Sequence, residues 1–148
     1  MKLTKSKELY ERSLNSTPLA CQTLSKSASQ FIQKFAPNFV SRAKGAMLYD
    51  VDGNEWVDHI AALGPMILGY SNKEFNDALK NQIDDGLIFS ISHHLEIELS
   101  ERIIELVPGV EKVRFGKNGS DVTSAAVKAA RAYTGKKEVL ICGYHGWQ

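Results

Sequence analysis

The chain has 148 residues, room for one modest domain, and its 43% hydrophobic and 24% charged content argues against disorder over most of its length. Lys and Arg total 18 against 17 Asp and Glu; a net charge of +1 gives no electrostatic reason to expect a nucleic-acid partner, which requires a clustered basic face. Cys21 and Cys142 stand far apart without CxxC spacing, so neither a disulfide framework nor a zinc site is indicated, and two isolated thiols fit a reducing cytoplasm.

The N-terminus, MKLTKSKELYERS, lacks the apolar core of a secretory signal. Residues 4–15 predict a short, weakly amphipathic helix. Residues 16–29, rich in Ser, Thr and Lys with Pro18 near the start, predict an extended or loosely ordered arm. The clearest hairpin signal is AMLYDVDGNEWVDHI at 46–60. Apolar and aromatic runs flank Asp52-Gly53, a pair suited to the positive φ angles of a type I′ turn. Residues 60–70 form the longest apolar stretch, but Gly64, Pro65 and Gly69 interrupt it and it is too short to cross a bilayer, so no membrane partner is expected.

Residues 73–85 predict a helix with Phe75, Ala78, Leu79 and Ile83 on one face, capped by Asn72 or Ser71 and stopped by Gly86. A second helix is predicted over 94–107, where Leu95, Leu99, Ile103 and Leu106 recur at helical spacing before Pro108-Gly109. Residues 112–116 (KVRFG) predict a strand. Lys117-Asn118-Gly119-Ser120 forms a loop leading into a helix with Val122, Ala125, Ala126, Ala129 and Tyr133 on one side. Thr134-Gly135 ends that helix, and residues 138–142 (EVLIC) predict another strand. Strand, helix and strand with short connections make a βαβ unit, the signature of an α/β fold with a parallel sheet.

Two places can carry chemistry. The loop Asn118-Gly119-Ser120-Asp121 opens a helix, where free N–H groups and the helix dipole favour a phosphate. Gly119 removes a Cβ, and the Ser120 hydroxyl can donate. The alternative is plain capping, with Asn118 as cap and Asp121 as its capping-box partner. Beyond the second predicted strand, Gly143-Tyr144-His145-Gly146-Trp147 lies at the sheet edge where α/β proteins bind ligands, and Tyr144 or His145 offers a flat face to an aromatic cofactor. The alternative there is a strand-ending turn with packed aromatics. His93-His94 reads as a helix entry, because adjacent helical residues do not face one another as a metal pair does; no metal site is expected. Asp50, Asp52 and Asp58 cluster around the hairpin, where turn chemistry accounts for Asp52, and they do not read as an acid/base set.

In order, YDVDGNEWVDHI, LGPMILGY, LEIELSERIIELVPGVEKVRFGKNGSDVTSAAVKAARAYTGK and GYHGW resemble the class III aminotransferases, particularly the subgroup of glutamate-1-semialdehyde aminomutase. The likeness covers residues 46–148, with a looser match back to Leu14. It implies a fold type I pyridoxal-phosphate transferase, α/β, in a homodimer, acting on a small-molecule amino donor and a carbonyl acceptor. It implies that Asn118, Gly119 and Ser120 hold the phosphate of pyridoxal 5′-phosphate, that Tyr144 stacks on the ring, and that His145 belongs to the same wall. Residues 1–70 then correspond to an arm and hairpin of the small domain, and 71–148 to the start of the large cofactor-binding domain.

In the resembled family the Schiff-base lysine and the aspartate on the ring nitrogen follow the Tyr-His-Gly motif, and no lysine here fits that pattern. The expectation is therefore an N-terminal fragment with no catalytic residue of its own, inactive alone. Ala62-Leu63 stands where aminomutases of the family commonly show Ser-Trp, which favours a transaminase. A truncated aminomutase and a non-catalytic remnant serving as a binding or dimerisation module are the alternatives.

Overall fold

The computed structural model describes residues 1–32 and 34–143. The chain forms two compact units, Met1–Leu87 and Ile88–Gln148.

The first unit opens with helix α1 (Thr4–Leu14). The following arm is irregular, as its polar composition predicts, with single 3-10 turns at Pro18–Ala20, Leu24–Lys26 and Ala28–Gln30. Three antiparallel strands follow: β1 (Val40–Lys44), β2 (Met47–Asp50) and β3 (Glu55–Val57), in the order β1-β2-β3. The register pairs Met47 with Val57, Leu48 with Trp56 and Tyr49 with Glu55. Strand β1 was not expected, because VSRAK has no apolar alternation. It is an edge strand with an irregularity between Val40 and Arg42, and the Arg42 guanidinium lies 3.5 Å from the centre of the Tyr49 ring.

The hairpin is where residues 46–60 predict it, but its turn differs. Asp50 N–H donates to the Asn54 carbonyl at 3.0 Å, leaving Val51, Asp52 and Gly53 as a three-residue loop. Gly53 takes φ 90°, while Asp52 stays out of the left-handed region, so this is not a type I′ turn. The cause is Asp50. Its Oδ1 accepts from the backbone N–H groups of Asp52 (3.0 Å) and Asn54 (2.8 Å), wrapping the turn around the carboxylate.

Beyond β3, residues 58–70 leave the sheet and return to it. Asp58 N–H donates to the Ala46 carbonyl (2.8 Å), and Tyr70 exchanges two backbone bonds with Gly45, each 2.8 Å. A Cβ on Gly69 would lie a tight 3.2 Å from the Gly45 carbonyl oxygen, and φ is 77° there, so glycine suits this close return. Inside the excursion Ala61, Ala62 and Leu63 have φ of 50°, 53° and 72°, followed by Gly64 at 114°. Each non-glycine residue in that region costs about 1 kcal/mol. Helix α2 (Lys73–Asp85) follows, capped by Asn72, whose Oδ1 accepts from Phe75 N–H at 3.0 Å, and stopped by Gly86.

The second unit holds α3 (His94–Leu106) and α4 (Gly119–Thr134), the latter closed by left-handed Gly135. Both helices fall where their periodicity predicts. The strands expected at 112–116 and 138–142 do not form. Among the described residues neither segment finds a pairing neighbour, and a strand exists only through a neighbour's hydrogen-bond ladder.

Among the described residues no apolar side chain is buried; the buried ones are Ser6, Ser27 and Asp50. The helix faces expected to pack are open, with Phe75, Leu79 and Ile83 of α2, Leu95 and Leu99 of α3, and Val122 and Tyr133 of α4 all exposed.

Candidate cofactor-phosphate site

Residues 116–123 build the mouth of α4. Asn118 is extended (φ −129°, ψ 159°), so the chain turns sharply into the helix at Gly119. The Asp121 carboxylate accepts from Asn118 N–H at 3.1 Å and from the Asn118 side-chain amide at 3.3 Å. This reach back from the first turn is the acidic half of a capping box, and it places a negative charge where the helix dipole favours one. Thr123 Oγ1 donates to the carbonyls of Gly119 (3.0 Å) and Ser120 (3.1 Å), tightening the same turn.

Gly116 sets the approach. A Cβ there would lie 2.6 Å from Val122 Cγ1, so only glycine lets the incoming segment lie against the first turn of α4. Gly119 is different: a Cβ would meet nothing within 4 Å. Among the described residues nothing fills the space beside Gly119, and the first helical N–H groups have no intrahelical backbone acceptor. Ser120 is half-buried and carries a hydroxyl donor at this mouth. Unpaired amide donors, a hydroxyl and open space together suit a phosphate.

The structure thus brings Asn118, Gly119 and Ser120 together at one helix end. The capping alternative is also real, since the Asn118–Asp121 bonds are present. The two do not compete for the Gly119 and Ser120 N–H groups, because the capping box engages the Asn118 donors and the Asp121 N–H. Tyr144 and His145 lie outside the described residues. Gly116 and Thr123 were missed by sequence reasoning; the available signals were a glycine ending KVRFG and a hydroxyl residue one turn after Gly119.

The other candidates resolve into structural roles. His93 caps α3: its Nδ1 accepts from Leu95 N–H at 3.3 Å, and its own N–H donates to Glu96 Oε1 at 3.1 Å. The His94 ring lies 2.7 Å from Glu98 Oε1. Asp52 does more than turn chemistry: its carboxylate accepts from Lys5 N–H (2.8 Å) and Ser6 N–H (2.9 Å), capping α1 across the sequence. Burial pushes the Asp50 carboxyl up, but hydrogen bonds from the Asn54 amide, the Trp56 indole and the backbone outweigh it, and the net shift is downward. The Tyr70 hydroxyl holds Asp58 below its ordinary range, and the same bond raises Tyr70 to about 12.

The likeness to solved pyridoxal-phosphate-dependent transaminases defines the fold as the fold type I class. The PLP internal aldimine form of the FumI protein of Sphingopyxis sp. MTA144 superposes on the chain with a TM-score of 0.83 and 34% identity, covering 90% of this chain and 32% of that one. The sequence profile of the class III aminotransferases matches residues 30–147, and the chain belongs to that family. Family and solved neighbour together indicate pyridoxal 5′-phosphate as the cofactor.

Among curated relatives, the glutamate-1-semialdehyde 2,1-aminomutase of Francisella philomiragia is 38% identical over 95% of this chain and 33% of its own length. The 3-aminobutyryl-CoA aminotransferase of Cloacimonas acidaminovorans is 37% identical over 99% of this chain and 36% of its own length. The chain thus spans about a third of the relatives it matches.

Proposed function

We propose that this chain supplies the phosphate-holding part of a pyridoxal-phosphate-dependent transaminase that moves an amino group from a small-molecule donor to a small carbonyl or keto acceptor. The observation that carries the reading is the mouth of α4, where open space at Gly119 meets the helix's free N–H groups. The backbone N–H groups of Gly119 and Ser120 and the Ser120 hydroxyl donate to phosphate oxygens, while Asp121 keeps Asn118 in the extended geometry that points the turn outward. The family resemblance assigns Tyr144 and His145 to the wall beside the ring. The bound cofactor supplies an electron sink for the pair left when a proton is removed from the amine-bearing carbon. This chain's residues anchor and orient that sink.

Residues 1–70 then serve as arm and hairpin of a small domain, and 71–148 as the start of the cofactor-binding domain. The assembly is a homodimer working in a reducing, cytoplasmic compartment. These 148 residues contain no lysine placed to form the Schiff base, so alone they hold phosphate without turnover. Incubation with pyridoxal phosphate, borohydride reduction and intact-mass measurement test this: the expected result is scattered sub-stoichiometric adducts, and stoichiometric labelling of one lysine refutes it.

A second reading, glutamate-1-semialdehyde aminomutase, is favoured by the 38% identity to that enzyme. Ala62-Leu63 in place of the Ser-Trp common in aminomutases favours the transaminase. Assay of the full gene product separates them: amino transfer to an external keto acid supports the first, and internal rearrangement of the semialdehyde the second.

A further inference from the structure

The excursion at 58–70 combines features that call for one explanation. Its ends are pinned side by side, Asp58 N–H on the Ala46 carbonyl and Tyr70 on Gly45. Compact surface loops with adjacent ends are often functional. Its interior carries Ala61, Ala62 and Leu63 in succession at positive φ, a conformation that persists only where surrounding contacts over-determine it. Among the described residues apolar packing does not supply those contacts: Ile60, Leu63, Ile67 and Leu68 are all exposed, Ile67 at 86%. Polar contacts do.

Asp58 is at their centre. Its Oδ1 accepts from Ile60 N–H (2.8 Å) and Ala61 N–H (3.3 Å), entering the left-handed run directly. Its Oδ2 accepts from the Tyr70 hydroxyl at 2.6 Å, across the mouth of the loop. Within the run, Leu63 N–H donates to the Ile60 carbonyl (3.0 Å), and the Ala61 carbonyl accepts from Gly64 (2.9 Å) and Met66 (3.3 Å). Asp58 therefore engages the loop's first amides with one oxygen and its last residue with the other.

We propose that Asp58 and Tyr70 form a latch that keeps the 58–70 loop in its left-handed arch, with Leu63, Ile67 and Leu68 held outward. The latch stands on unit-one geometry alone and is independent of the cofactor reading.

The test is amide hydrogen exchange on the full gene product and its variants. In Tyr70→Phe, exchange at Ile60, Ala61, Leu63 and Gly64 is expected to quicken about tenfold, the loss of one charge-assisted hydrogen bond. The β2–β3 amides should not change. Adding Ala62→Gly, which removes a left-handed Cβ conflict, is expected to recover several-fold of that protection. Unchanged loop exchange in Tyr70→Phe overturns the latch. So does equal quickening throughout Met1–Leu87, which would make Tyr70 a general stabilising residue. If Ala62→Gly gives no recovery, the arch is not what the latch holds, and the proposal fails.

Discussion

Asp50 shows how much one carboxylate can organise. It is buried, and it accepts four hydrogen bonds: from Asp52 N–H, Asn54 N–H, the Asn54 amide and, at 2.9 Å, the Trp56 indole N–H. Removing it strands half-buried donors, at about 1 kcal/mol for each bond lost. Asp50→Ala is therefore expected to loosen the β2–β3 hairpin by that amount, read as lost amide protection at Tyr49 and Glu55. Asp58 and Tyr70 make a pH-dependent pair. Asp58 is lowered from 3.8, so its contribution is present above that value and is lost as pH falls through the lowered one. Tyr70 is raised from 10.0 to about 12, so its contribution is complete below 10.0 and is lost as pH rises through about 12. Loop protection should be flat between those limits. Ultraviolet titration should show a tyrosinate component near 12 that Tyr70→Phe removes.

Among the elements, helices followed their sequence signals most closely. The apolar spacing in 73–85 and the Asn72 cap define α2, and α4 runs from its Asn118 cap to Gly135. Periodicity and caps are local properties, and helices close their hydrogen bonds locally. Strands were less legible: β1 carries no alternation, and 112–116 and 138–142 carry apolar residues yet pair with nothing among the described residues. The turn at Asn118, Gly119 and Ser120 was legible as a helix start because a helix mouth is local. Gly116 was not, because its role depends on Val122 folding back over it. Gly116→Ala is expected to disturb the mouth of α4 by about 1–3 kcal/mol, since its Cβ would lie 2.6 Å from Val122 Cγ1 and force that β-branched side chain or the incoming backbone to shift. Added Val122→Ala should restore it, with amide protection in the first turns of α4 as the measure.

At the scale of the molecule, the apolar faces of α2, α3 and α4 are exposed and no apolar side chain is buried among the described residues, so polar contacts hold what is held. The chain spans about a third of its relatives. Open apolar faces of this extent bind dyes and one another. The 148-residue chain is accordingly expected to bind anilinonaphthalene sulfonate strongly and to self-associate at micromolar concentration. A compact monomer with a sharp thermal transition and no dye binding would contradict this.

Family membership, the helix positions and the capped turn at Asn118 were all legible in the residues in order, because each depends on neighbours within a few positions or on motifs in series. The tertiary structure alone decided that Asp52 caps α1, that Asp50 dictates the hairpin loop, that Gly69 and Gly116 serve close approaches, and that Asp58 reaches Tyr70. These are meetings between positions brought together by chain reversal, and no local pattern of residue types specifies which side chain will stand opposite which amide.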